Sequence, residues 1–324
     1  GAGTTSDRLI SFVDYGPTVL SLAGVKVPAA MQGKPFLGPQ AAPPRDFVFG
    51  FRDRMDDRID LLRCARDARY KYIRNYMPHR PWAQHVSYMY EMPTMKVWQR
   101  AFDAGTLDPV QRRFFETKPF EELYDGDADP HEVKNLAGDP AMAGTLDRLR
   151  AALDGWILEI KDLGFLPEPD LRTRFGGTPA YDAVREKPES YPLEKLMAAA
   201  AVAARRDPAD EAKLAALAED VDPAVRYWGV TGLLARGSRH EVLRKALADV
   251  APAVRFAAAE ALGTEEALAA LEKGLKEPND WARHHALLAI DALGPKAASL
   301  KPAVSGLKAD PNEYVKRVAE HILR

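Results

Sequence analysis

Apolar residues recur at i, i+3, i+4, i+7 and i+8 in the second half of the chain, the spacing that lines one face of a helix. The pattern runs from Leu193, from Val225, from Val254 and from Val315. A further copy starts at Ala282 and continues through Ala286, Ala289 and Ile290, but places His285 at its i+3 position. Successive starts lie 28–33 residues apart. That interval leaves room for a second helix, such as one around Leu268, Leu271 and Leu275. Asp222-Pro223 supplies an N-cap followed by a first-turn proline, and Asp280 is expected to cap the Ala282 copy. A helix pair of this size cannot bury a face alone, so the repeat predicts a stacked α-solenoid.

The first half follows other periods. Residues 17–22 form an expected helix, with Pro17 near its first turn and Gly24 just past its end. DFVFGF (46–51), DLLRCARD (60–67), RYKYIRN (69–75) and EELYD (121–125) predict strands, the middle two joined by a tight turn. A helix over about 142–161 carries Leu146, Leu149, Leu153, Trp156, Ile157 and Ile160 on one side. A small antiparallel sheet packed on that helix is the expected α+β unit. Residues 170–192 are rich in Gly, Pro and charge without clear periodicity, and are expected to be a linker.

Composition narrows the function classes. The 324 residues hold 45 Lys+Arg against 47 Asp+Glu, so no chain-wide field attracts nucleic acid or an anionic membrane. The single cysteine, Cys64, excludes an internal disulfide framework and, mid-strand between Arg63 and Arg66, is expected to be a buried small hydrophobe rather than a nucleophile. No apolar run is long enough to span a bilayer. The start GAGTTSDR, with neither an initiator Met nor a signal-type segment, is expected to lie inside a longer protein. The sequence has no G-x-x-x-x-G-K-[ST], H-E-x-x-H or G-x-S-x-G. His284-His285 has no third ligand nearby in sequence and is not expected to bind metal.

One segment is locally basic. Residues 52–80 carry nine Lys/Arg against five Asp/Glu, which either attract an anionic substrate or form the solvated, salt-bridged face of two strands. Arg52 and Arg54 flank Asp53, and such forks suit bidentate recognition of sulfate, phosphate or carboxylate. In YMPHRPW (76–82), Pro78 and Pro81 restrict the backbone on either side of His79 and Arg80, which leaves that pair preorganised at little ordering cost. The other reading is a stiff connection whose histidine satisfies nearby carbonyls. His85 and Trp82 are expected to pack, and His131 to be exposed.

Two resemblances follow from these motifs. DPAVRYWGVTGLL and APAVRFAAAEALG resemble HEAT-like repeats, through the pairs Val225-Arg226 and Val254-Arg255. SFVDYGPTVLSLAGVKVP, MQGKPFLG, RDRMDD, ARDARYKYIRNYMPHRPW, YEMPT and KPFEELYDGDADPHEVKNLA resemble, in order, the C-terminal portion of sulfatases of the alkaline-phosphatase-like superfamily related to heparan N-sulfatase, over about residues 6–165. The implied organisation is the end of a sulfatase α/β domain (1–45), a sulfatase C-terminal subdomain (46–169), the linker (170–192) and a HEAT-like α-solenoid (193–324). The implied activity is hydrolysis of sulfate esters or N-sulfate of glycans by an exported enzyme, with a formylglycine made from C/S-x-P-x-R and a calcium ion. Neither group is sited here: Cys64-Ala65-Arg66-Asp67-Ala68 departs from that motif, no Ser-x-Pro-x-Arg occurs, and the chain alone is expected to be inactive. The resemblance makes His79, Arg80, Arg52 and Arg54 candidates for substrate contact at the rim of the pocket. It also leaves open a protein partner on the solenoid, a purely binding role, or a phosphoesterase of the same superfamily.

Overall fold

The structure is a computed structural model describing residues 3–324. Its contacts divide the chain into two interleaved units, residues 1–51, 62–74 and 121–157 in one, residues 52–61, 75–120 and 158–324 in the other.

The first unit holds α1 (Tyr15–Leu22) and a four-stranded antiparallel sheet in the order β1 (Val48–Arg52), β2 (Leu62–Arg66), β3 (Tyr70–Asn75), β4 (Glu121–Asp125). Gly24 ends α1 at φ +70°, the left-handed conformation that glycine adopts without a Cβ penalty. β3 and β4 are antiparallel, with Tyr72 opposite Leu123. The long helix α2 (Ala143–Ile160) buries Leu146, Leu149, Leu153 and Ile157, each worth roughly 2 kcal/mol on removal from water. Trp156 is half-buried and stacks on Phe49, ring centroids 4.9 Å apart. The basic residues of β2 and β3 are not a uniformly solvated face: Arg63 and Arg74 are buried, and Arg74 donates to the Tyr72 hydroxyl at 2.8 Å and pairs with Asp154. Burial is affordable for a guanidinium only with such partners. Cys64 is half-buried in β2, where burial pushes its thiol up to about 11.

The second unit is dominated by helix pairs: α3 (Leu193–Arg205) with α4 (Glu211–Leu217), α5 (Pro223–Ala235) with α6 (Val242–Ala246), α7 (Pro252–Leu262) with α8 (Glu265–Gly274), α9 (Asp280–Leu293) with α10 (Lys301–Ser305), and the closing α11 (Glu313–Leu323). The first helices of successive pairs pack on one another, as the repeat pattern requires. Asp222 caps α5, accepting from Ala224 N at 2.8 Å. The cap of α9 is Asn279, not Asp280: its side chain accepts from Trp281 N and Ala282 N, and Asp280 becomes the first helical residue.

The arginine of the Val-Arg pairs has a structural task. Arg226 donates to both carboxylate oxygens of Asp249 at 2.6 and 2.8 Å, and its other arm reaches the carbonyls of Asp220 and Val221. Arg283 repeats this geometry two helix pairs further on, with Asp310 and the carbonyls of Glu277 and Pro278. Arg255, on the helix pair between them, makes the same carbonyl contacts, with Asp249 and Val250, and pairs with a single oxygen of Glu277. Each guanidinium thus ties its own pair to the next through charge-assisted bonds.

Residues 170–192 are more ordered than a linker composition suggests, with helices at Glu168–Thr173 and Ala180–Glu186. Arg174 anchors the segment to the Asp222 carboxylate at 2.6 and 2.8 Å, an ion pair that sequence periodicity cannot reveal.

Candidate functional site

The YMPHRPW loop belongs to the second unit and is fixed from several sides. Tyr76 donates its backbone N–H to Leu61 O at 2.8 Å and packs edge-on against Phe165, centroids 4.9 Å apart. The Pro78 carbonyl accepts from Lys118 N at 2.8 Å, and a turn closes from Arg80 N to Met77 O at 3.1 Å. Beneath it lies a fully buried ion pair, Lys118 Nζ to Asp60 at 2.5 and 2.6 Å. The prolines fix the backbone, and these bonds leave His79 and Arg80 little freedom of position.

Both side chains face a cavity of about 180 Å³ whose opposite wall comes from α5, α7 and α9. Arg80 donates to Glu260 Oε2 of α7 at 2.6 Å. Burial alone would ease its proton off, but the Glu260 charge and hydrogen bond outweigh this and hold it fully protonated. His79 is neutral: burial, then the nearby positive charges of Arg80, Lys118 and Arg206, keep its pKa well below the usual histidine range. Its Nδ1 is buried without a hydrogen-bond partner in the protein.

Arg54 stands in a different setting. It donates to Glu168 Oε1 at 2.9 Å, and its guanidinium lies over the rings of Trp281 (4.4 Å) and Tyr314 (4.2 Å). It lines a second cavity, of about 280 Å³, which shares Ile59, Met77, Tyr227 and His285 with the first. Arg52 lines neither; its Nε is 3.7 Å from Asp60. The structure therefore joins His79 with Arg80, sets Arg54 next door, and leaves Arg52 apart.

His85 packs, as expected: it stacks on His321 (3.7 Å) and Tyr90 (4.6 Å), and burial lowers its pKa to about 4. Trp82 lies under the Lys118 ammonium at 4.7 Å, and His131 is exposed. His284 is buried, with Nε2 3.0 Å from the Asp57 carbonyl, which fixes the proton on Nε2 when the ring is neutral. Sequence reasoning missed Tyr227, Glu260, Arg58 and Asp291 on the cavity wall, because only folding brings them there. His285 had a visible signal: a polar residue interrupting an otherwise apolar helix stripe.

Sulfatases are homologous to about half of the chain, and a family model described as HEAT repeats matches residues 240–324. More particularly, an ulvan-active sulfatase of Formosa agariphila is 42% identical over 171 residues, 52% of this chain and 29% of that protein. The human N-sulphoglucosamine sulphohydrolase is 26% identical over 173 residues, 49% of this chain and 34% of that enzyme. A crystal structure described as a sulfatase from Bacteroides thetaiotaomicron aligns with a TM-score of 0.30 at 25% identity, covering 49% of this chain and 25% of that one. The chain spans about a third or less of the length of these relatives.

Formylglycine and a metal ion are implied by that homology. The residues here do not fit either group: the sequence holds no C/S-x-P-x-R, and among the described residues no three His, Cys, Asp or Glu side chains cluster so as to hold a metal. No chemical step through them is derived from this chain. Among the described residues no helix is long and apolar enough to cross a membrane.

Proposed function

We propose that this chain is the C-terminal part of an exported sulfatase that removes sulfate, as ester or N-sulfate, from glycans, with a HEAT-like extension. The observation that carries the reading is 42% identity over 171 residues to an ulvan-active sulfatase. In this reading the nucleophile and calcium belong to a domain outside these 324 residues, and the chain alone releases no sulfate. Its task is to hold the sugar. His79 and Arg80 are the foremost substrate contacts, supported by their rigid loop and shared cavity. Arg54 is a further contact through the adjoining cavity, and Arg52 one at the end of β1.

The test joins the chain to a sulfatase large domain carrying C/S-x-P-x-R, matured and loaded with calcium. Sulfate release is measured on a chromogenic aryl sulfate and on sulfated oligosaccharides. Release from both is expected, with His79→Ala or Arg80→Ala lowering glycan turnover while largely sparing the aryl sulfate. No sulfate release from either substrate refutes the reading, phosphate release from the matching chromogenic aryl phosphate in its place assigns a phosphoesterase, and equal losses on both sulfated substrates return the loop to a structural role.

A further inference from the structure

The cavity facing His79 is walled on its far side by the solenoid, and its chemistry does not favour an anion. Its two guanidiniums are neutralised: Arg80 by Glu260 at 2.6 Å, and Arg58 by Asp291. What remains is one unpartnered arm of Arg58, Nη2, and a set of uncharged polar groups. His285 of α9 is only 7% exposed, lines the cavity, and has an Nε2 without a hydrogen-bond partner in the protein. Across from it, His79 offers a buried Nδ1 in the same condition. Burial lowers the pKa of His285 to about 3 and that of His79 well below its usual range, so both rings are uncharged near neutrality.

We propose that this cavity binds one uncharged, hydroxyl-rich sugar unit, read jointly by His79 from the loop and His285 from the solenoid. A neutral imidazole has one donor nitrogen and one acceptor nitrogen, and a sugar hydroxyl can answer either, whereas a sulfate oxygen can only accept. Phe256 and Leu288 supply apolar wall for the C–H face of a ring. At about 180 Å³ the space is on the scale of a single small ring rather than a chain of them. Ala292, on the rim, is exposed, which gives the ligand a way in. The solenoid is then part of the binding site rather than an appendage to it.

This proposal rests on the glycan reading above for its ligand class, but not on catalysis. The full 324-residue chain, with isotope-labelled histidine, is titrated with N-acetylglucosamine, with xylose, with glucosamine 6-sulfate and with sodium sulfate, followed by imidazole NMR and calorimetry. At least one neutral sugar is expected to bind, moving the His79 and His285 ring signals and leaving that of the exposed His131 unchanged. His285→Gln should weaken this binding at least tenfold, and sodium sulfate should neither bind nor compete. If His285→Gln does not fold, Ala257→Leu, which adds bulk to the cavity wall, must produce the same loss. Binding of sulfate alone, binding of the sulfated sugar without either neutral one, or no binding at all overturns the proposal. A chain that binds neutral sugar within an assembled enzyme releasing no sulfate keeps this site and loses the sulfatase reading. The converse result loses this site only.

Discussion

Lowering the pH from 7 to 5 should destabilise the solenoid through two histidines that are not allowed to charge. His284 and His285 sit in adjacent positions of α9, and burial, as the first cause for each, lowers both pKa values to about 3. An unfolded histidine titrates near 6.5. Below that pH the unfolded chain binds protons that the folded chain refuses, so unfolding free energy falls with pH and keeps falling until the folded pKa is reached. Between pH 7 and pH 5 each ring costs about 2 kcal/mol, and the pair about 4 kcal/mol. The structural reason is plain at His284: Nε2 already serves the Asp57 carbonyl, and a proton on Nδ1 would sit buried with no acceptor. Asp57, Glu168 and Asp170 have pKa values raised by burial, and they act in the opposite sense as the pH falls. Wild type is therefore compared with His284→Gln/His285→Gln by urea unfolding, followed by circular dichroism at pH 7, 6 and 5. The wild type should lose about 4 kcal/mol more than the double variant over this range. Parallel pH profiles for the two proteins would refute the reasoning.

Three further outcomes follow from particular contacts. Gly274→Ala should lower stability by about 1–3 kcal/mol despite the better helix propensity of alanine, since a Cβ there would lie 2.5 Å from the Phe256 ring; thermal unfolding measures it. Glu260→Gln leaves the Arg80 charge, 24% exposed, without its anion and should cost about 1–2 kcal/mol, with a double-mutant cycle against Arg80→Ala isolating the pair. Cys64, with its thiol near 11, should hold only about 0.1% thiolate at pH 8 and resist iodoacetamide until the protein is unfolded; fast alkylation of the folded chain would contradict its burial.

Much of the fold was legible because its signals are local. The five first helices of the solenoid follow a 3.6-residue period that survives in the structure, and the strand at EELYD and the helix carrying Leu149 and Leu153 fall where their patterns put them. What was hidden depends on distant partners. Arg63 and Arg74 belong to a stretch that could pass for a solvated basic face, yet both are buried, because partners such as Asp154 reach Arg74 only after folding. The same holds at the candidate site. The stiffness of YMPHRPW could be read from its prolines, but Glu260 lies 180 residues beyond Arg80 and nothing local connects them. His285 is the intermediate case: its misfit in an apolar stripe was visible, and its cavity was not.

The central claim, that these residues form the sugar-holding part of a sulfatase, is tested most directly by sulfate release. The chain joined to a matured, calcium-loaded large domain is incubated with a sulfated oligosaccharide, and free sulfate is quantified by ion chromatography. The account predicts stoichiometric sulfate release from the joined protein and none from the 324-residue chain alone. Intact oligosaccharide after incubation with the joined protein would contradict it.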